Sequence, residues 1–184
     1  MHYLHKILVY IPDAVAERDL FERCELADAI RAHAESVTEN YYQTVFDWRE
    51  TDSAGRWSHR YPENVILAED DVEHFVKELM DAKENQSDEV QLCFSQLENT
   101  VGTDLKHIVD VLLHRNSFAE NENGVNCMTA YYLHCIAAYL YGEYQSESFF
   151  YNTHDYTAFL YAEDLETIRK SPSDWALVMF DYHN

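Results

Sequence analysis

The sequence predicts an α+β fold, with strands at the N- and C-terminal ends and two β-hairpins around a small central helical bundle. Three observations lead there. Apolar, β-prone runs stand near both ends, at 3–11 and 175–180. Between them, apolar residues recur at three- and four-residue steps, the spacing of a helix face. Two aromatic stretches, each split by a cluster of turn residues, read as hairpins.

The N-terminal strand holds Tyr3, Leu4, Ile7, Leu8, Val9, Tyr10 and Ile11 and ends at Pro12. Residues 13–35 follow as a helix, with Leu20, Cys24, Ala27, Ile30 and Ala34 on one face. Residues 41–61 form the first expected hairpin. Its turn is Thr51-Asp52-Ser53-Ala54-Gly55, and Trp57, His59 and Tyr61 alternate in its second strand. Beyond Pro62 the pattern becomes helical. Val72, Phe75, Val76, Leu79 and Met80 make one stripe, with acids in the first turn where the helix dipole favours them. Asn85-Gln86-Ser87 is expected to end that helix. Val90, Cys93, Phe94 and Leu97 mark a second, and Leu105, Ile108, Val109 and Leu112 a third, capped by Thr103. Three short helices suggest a bundle. The segment 116–124 reads as loop. The stretch 126–141 is apolar all round, as a central helix would be. Residues 149–161 give the second hairpin, around Asn152-Thr153-His154-Asp155. A short helix at 162–169, stopped by Pro172, and a strand at 175–180 close the chain.

A chain of 184 residues suits a single domain, 1–184. A subdivision is suggested at Pro62, into a strand-helix-hairpin segment (1–62) and an acidic helical bundle with C-terminal strands (63–184). The first ten residues are too short an apolar run for a signal peptide, and no window is apolar enough for a membrane span. The four cysteines, Cys24, Cys93, Cys127 and Cys135, are far apart and read as buried thiols. The expected location is the cytoplasm.

The formal net charge is −21, from 13 Lys+Arg against 34 Asp+Glu. That balance argues against direct binding of nucleic acid or of an anionic membrane, both of which need Lys and Arg. The charge is also uneven. Residues 1–61 hold 7 basic and 11 acidic side chains, a net of −4, and residues 62–184 hold 6 and 23, a net of −17. Ten acids stand between 63 and 89 with only Lys77 and Lys83 among them. Residues 116–168, 53 in all, contain no Lys or Arg, eight acids and eight Tyr. Asp70, Glu73, Lys77, Asp81 and Glu84 form one polar stripe, its carboxylates roughly 5–6 Å apart where they are one turn apart. That spacing is comparable with the charge repeat of a nucleic-acid strand.

In size and charge the chain resembles the small acidic nucleic-acid mimics of phages and mobile elements, of the anti-CRISPR or anti-restriction type. The resemblance rests on the acids of 63–89 and on the cation-free run 116–168. It implies a non-enzymatic DNA-mimic inhibitor that blocks the nucleic-acid site of a CRISPR nuclease or restriction enzyme. The expected partner is thus a basic nucleic-acid-binding protein, a nuclease. An immunity protein against a basic toxin nuclease looks similar. The other readings are a small enzyme or a scaffold whose acidity only keeps it soluble. The acidic candidates for partner binding are Glu63, Glu69, Asp70, Asp71, Glu73, Asp81, Glu84, Glu120, Glu122, Glu143 and Glu147. A homodimer would extend such a charged face.

The first hairpin offers a second contact element: Trp48, Arg49, Arg56, Trp57 and Arg60, residue types enriched at interface hot spots. Its cations could instead pair with the chain's own acids. No catalytic residue, metal or cofactor is assigned. His107 and His114 are seven residues apart, about 10 Å along a helix and too far to share one metal. His134 and Cys135 are neighbours on one helix and diverge by about 100°. His154-Asp155 falls in a turn. The terminal Asp181-Tyr182-His183-Asn184 reads as a solvated end. Phosphate-binding glycine loops and the hydrolase motifs are absent from the sequence.

Overall fold

The computed structural model describes residues 1–15, 23–101 and 127–183, with the backbone alone at 42–44, 100–101 and 127–130. The chain is mixed α+β, as expected, and the N- and C-terminal strands lie side by side in one sheet. Its strands are β1 (His2–Tyr10), β2 (Trp48–Glu50), β3 (Val65–Leu67), β4 (Phe150–Asn152) and β5 (Trp175–His183). Its helices are α1 (Ile11–Val15), α2 (Arg23–Val45), α3 (Val72–Val101), α4 (Cys127–Tyr141) and α5 (Ala162–Lys170).

β5 is the hub of the sheet. It runs antiparallel to β1 over nine residue pairs, from His2↔His183 to Tyr10↔Trp175. Its other edge takes two short antiparallel strands, β2 at 181–183 and β3 at 176–178. β4 pairs in parallel with the far edge of β1. Strands covered on both faces read as continuous apolar runs. β5 is buried from Trp175 to Tyr182, which explains why both terminal runs were legible. Residues from either side of Pro62 interleave in this sheet, since β1 lies between β5 and β4.

Alternation along β1 and β5 divides the core in two. Ile7, Val9, Val178, Phe180 and Tyr182 pack with Ile30 and Ala34 of α2. Leu8, Leu177 and Met179 pack with Phe75, Val76 and Leu79 of α3 and Ile168 of α5. A third, smaller cluster joins α3 to α4 through Cys93, Leu97, Cys135 and Ile136.

Several expectations are corrected. The first hairpin does not form. Tyr41 and Val45 are β-prone, but they continue α2 because they pack there against the sheet. β2 pairs with β5, and residues 55–61 are a 3-10 turn and its continuation. Gly55 pins that turn. Its φ is +52°, and a Cβ there would fall well inside contact distance of the Asp181 carboxylate. The backbone N–H of Arg56 then donates to Asp181 Oδ2 at 3.0 Å.

The second hairpin is reduced to one antiparallel bridge, Asn152↔Thr157, because Phe150–Asn152 pairs with β1 instead. The expected break at 85–87 is absent, and α3 runs unbroken for 30 residues. Gln86 is buried there without penalty, since its Nε2 donates to the carbonyl of Ala158. The first two expected short helices are thereby one long helix flanking the sheet; the third expected helix lies outside the described residues. α4 forms as expected but is not central: Ala137, Leu140 and Tyr141 are exposed. Cys93 and Cys135 are buried free thiols, whereas Cys24 is exposed. The C-terminal Asp181 and Tyr182 are buried strand residues, not a solvated end. No described helix is long and apolar enough to cross a membrane.

Candidate functional site

Lys6 is a cation in an otherwise apolar strand, and strand alternation turns it towards α3. Its ammonium donates to the carbonyl of Glu78 at 2.6 Å and to Glu78 Oε2 at 2.7 Å. The Tyr61 hydroxyl donates to the same oxygen at 2.5 Å, and Arg60 Nη2 donates to Oε1 at 2.7 Å. Glu78 and Lys6 are both almost wholly buried. Burial alone would raise the Glu78 pKa, but the hydrogen bonds from Lys6, Tyr61 and Arg60 outweigh it and hold the carboxyl at about 2. Burial pushes the Lys6 ammonium down, against the pull of Glu78. Burial and Glu78 push the Tyr61 hydroxyl up. The group is an ion-paired anchor that clamps α3 and the 55–61 turn onto β1.

Above this anchor lies an open cleft of about 510 Å³. The start of β1 supplies His2, Tyr3 and Leu4, the 55–61 turn supplies Trp57 and Arg60, and Phe149 completes the aromatic wall. The opposite wall is α3, with Asp81, Glu84, Asn85, Asp88 and Glu89. The fold therefore unites two groups that the sequence kept apart: Asp81 and Glu84 of the acidic stripe, and Trp57 and Arg60 of the expected hairpin.

The acids of α3 are not equivalent. At its start, Asp71 accepts from the backbone N–H of His74 at 3.0 Å, an N-terminal cap. Asp70 is ion-paired with Arg23, and Glu73 with Arg169 at 3.5 Å. Asp81 lies 3.7 Å from Arg60, whose nearer partner is Glu78. Glu84, Asp88 and Glu89 have no ion pair among the described residues. Burial raises the Glu89 pKa, and the negative charges of Glu147 and Asp88 raise it further. Such mutual repulsion is what a basic partner would relieve.

The remaining expected contacts scatter. Glu63 borders a different cleft, of mixed charge, with Arg23 and Arg31. Glu69 is exposed beside the start of α3. Glu143 is exposed after α4. Glu147 is buried and accepts a hydrogen bond from the Tyr131 hydroxyl, so it is not a surface acid. Glu120 and Glu122 lie outside the described residues, as do His107 and His114. The Arg49 side chain is largely buried; it ion-pairs with Glu35 and Glu39 and ties β2 to α2. Trp48 is exposed and rests edge-on against His2. Arg56 is exposed. The hairpin cations do pair with the chain's own acids, through Arg49 and Arg60.

Sequence reasoning missed three residues. Glu78 is hidden among many acids, and the signal that could have found it is Lys6, a cation in an apolar strand that needs a buried anion. Asp88 and Glu89 stand just past the expected helix break, which removed them from the stripe.

Among the described residues no three His, Cys, Asp or Glu are placed to hold a metal ion. His134 is exposed while Cys135 is buried, so the two diverge as their spacing requires. His154 pairs with Asp13 at 2.7 Å on the surface. No family model, curated protein or solved structure matches the chain.

Proposed function

We propose that this protein is a non-enzymatic inhibitor that binds a basic nucleic-acid-processing enzyme, a CRISPR nuclease or restriction enzyme, and occupies its nucleic-acid site by charge mimicry. The reading rests on one observation. The long helix α3 presents Glu84, Asp88 and Glu89, which have no ion pair among the described residues, next to Asp81 along one wall of an open cleft. Asp81, Glu84 and Asp88 step along the helix axis by about 4.5 and about 6 Å. That repeat is of the order of the phosphate charge repeat, and a helix anchored through Glu78 holds it without fraying. Trp57 and Tyr3 on the facing wall add aromatic surface of the kind that anchors protein interfaces.

The test is DNA cleavage by a panel of purified CRISPR nucleases, restriction enzymes and toxin nucleases, with increasing amounts of the protein. Stoichiometric inhibition of at least one is expected at about 50 mM salt, weakening at least about tenfold at about 200 mM. The variant carrying Asp81→Lys, Glu84→Lys, Asp88→Lys and Glu89→Lys loses that inhibition while keeping its fold by circular dichroism. Inhibition unchanged in the variant, or inhibition of no member of the panel, rejects the proposal.

A further inference from the structure

A second cleft, of about 700 Å³, lies along the 141–147 segment. Tyr41 of α2, Tyr131 and Tyr141 of α4, Tyr144, and Tyr156 from the turn after β4 all line it. Among the described residues no Lys or Arg does, and Glu143 and Glu147 do. It therefore draws on the cation-free, Tyr-rich stretch of the sequence. From this lining we infer that the cleft receives an arginine side chain of the basic partner, an inference that rests on the inhibitor reading for the identity of the partner.

Three features support that occupant. The first is the aromatic lining. Tyrosine rings attract a cation to their faces, and guanidinium groups stack on them. Tyr144 and Tyr41 meet edge to face, with centroids 5.1 Å apart, and form a fixed aromatic corner. Their hydroxyls are already engaged, Tyr144 with His5 Nδ1 at 2.8 Å and Tyr41 with the Tyr151 hydroxyl at 3.3 Å. Tyr141 and Tyr156 remain strongly exposed, at 79 % and 69 %. Exposed aromatics gathered on one cleft suit a contact surface.

The second feature is charge. Glu143 is exposed at the rim, and Glu147 is held in the wall by the Tyr131 hydroxyl. Gln145 also lines the cleft; it is 8 % exposed, its Nε2 donates to the Cys135 carbonyl at 3.3 Å, and its buried side-chain oxygen has no hydrogen-bond partner among the described residues. The exposed Glu143 carboxylate and the Gln145 oxygen, which has no donor among the described residues, suit a group that only donates, and guanidinium is such a group.

The third feature is that the rim is held in place before any ligand arrives. Gly142 has φ +66°, and its carbonyl accepts from the N–H of Ala158 at 2.8 Å. A Cβ on Gly142 would strike Phe159 at 2.8 Å. The end of α4, with Tyr141 and Glu143, is therefore locked beside the turn that carries Tyr156.

The probe is the tripeptide Gly-Arg-Gly, titrated into the intact protein and followed by backbone amide NMR shifts. Its control is the same tripeptide with citrulline, which keeps the shape and loses the charge. Saturable shifts at residues 141–147 and 156 are expected, with at least tenfold tighter binding of the arginine peptide. Tyr141→Ala, Tyr156→Asn and Glu143→Gln change exposed positions, and each should weaken the arginine peptide at least threefold. Equal binding of both peptides, shifts confined to α3, or no saturable shift overturns the inference. The titration needs no nuclease, so its failure leaves the cleavage assay standing, and a failed cleavage assay leaves the titration readable.

Discussion

The two faces of the sheet solve the same problem in opposite ways. Neighbouring residues of β1 each bring a titratable group into the core, His5 towards α2 and Lys6 towards α3. On the α2 face the group stays neutral. His5 bonds the Tyr144 hydroxyl at 2.8 Å and the Ser146 carbonyl at 2.9 Å, and burial lowers its pKa to about 3. Around it stand aromatic rings, with Phe46 stacked on Tyr182 at 4.0 Å. On the α3 face the group is charged and paired, Lys6 with Glu78, and the pairing continues through Arg60 and Asp81 to the acidic cleft. The His5 pairing is closed off from solvent and serves stability, although Tyr41 and Tyr144 of the same face also line the second cleft. The charged face reaches the surface, where partner recognition is proposed.

The largest expected effect comes from breaking the charged face. Glu78→Gln leaves the Lys6 ammonium buried without its counter-ion and should cost about 3–5 kcal/mol in urea unfolding. Replacing the pair together, Lys6→Met with Glu78→Leu, should recover much of that loss. A single variant as stable as the parent would show that the pair does not hold α3.

The second effect separates the faces by pH. The folded-state pKa of His5 lies below its unfolded value, so protons bind preferentially to the unfolded chain between about pH 6.5 and 3. Stability should fall there by about 1.4 kcal/mol per pH unit as pH drops. Glu78 also has a lowered pKa, and its contribution is present above about pH 4.5 and lost as pH falls towards 2. His5→Phe should be less stable at pH 7, by about 1–3 kcal/mol for the unmet Tyr144 and Ser146 groups. Its stability should nevertheless be flatter above pH 4.5, with the lower window intact. Chemical unfolding at pH 4, 5, 6 and 7 reads this directly, and an unchanged slope would place the titrating group elsewhere.

A smaller effect tests the attachment of β2. Arg49→Ala should cost about 1–2 kcal/mol by thermal unfolding, since the Arg49 bonds to Glu35 and Glu39 are partly buried. The smallest effect is expected at the cleft acids. Glu84→Gln, Asp88→Gln and Glu89→Gln combined should leave stability within about 0.5 kcal/mol or raise it slightly, because these charges have no ion pair among the described residues and Asp88 repels Glu89. A large loss would make them structural and weaken the case for recognition.

The elements that were legible in the sequence are those whose own side-chain period decides them. β1, α4, α5 and β5 all belong here. The 41–61 segment was not legible because Tyr41 and Val45 suit a strand locally and are held in a helix by the sheet they pack on. The break at 85–87 failed because a distant carbonyl, that of Ala158, accepts from Gln86. For the site, the acidic character of α3 was legible, but which acids remain unpaired was not. The partners that neutralise Asp70 and Glu73 lie 47 and 96 residues away. Local spacing carries no trace of such pairings. It also could not show that Trp57 and Arg60 would face Asp81 and Glu84 across one cleft.

Charge mimicry requires the α3 acids to stand where phosphates would. Equilibrium competition on the inhibited enzyme tests it most directly, with labelled protein displaced by duplex DNA at several salt concentrations. Full mutual displacement is expected, with an affinity that falls steeply with salt and a shallower slope for Glu84→Gln, Asp88→Gln, Glu89→Gln. Simultaneous binding of DNA and protein, or a salt slope unchanged in that variant, would contradict it.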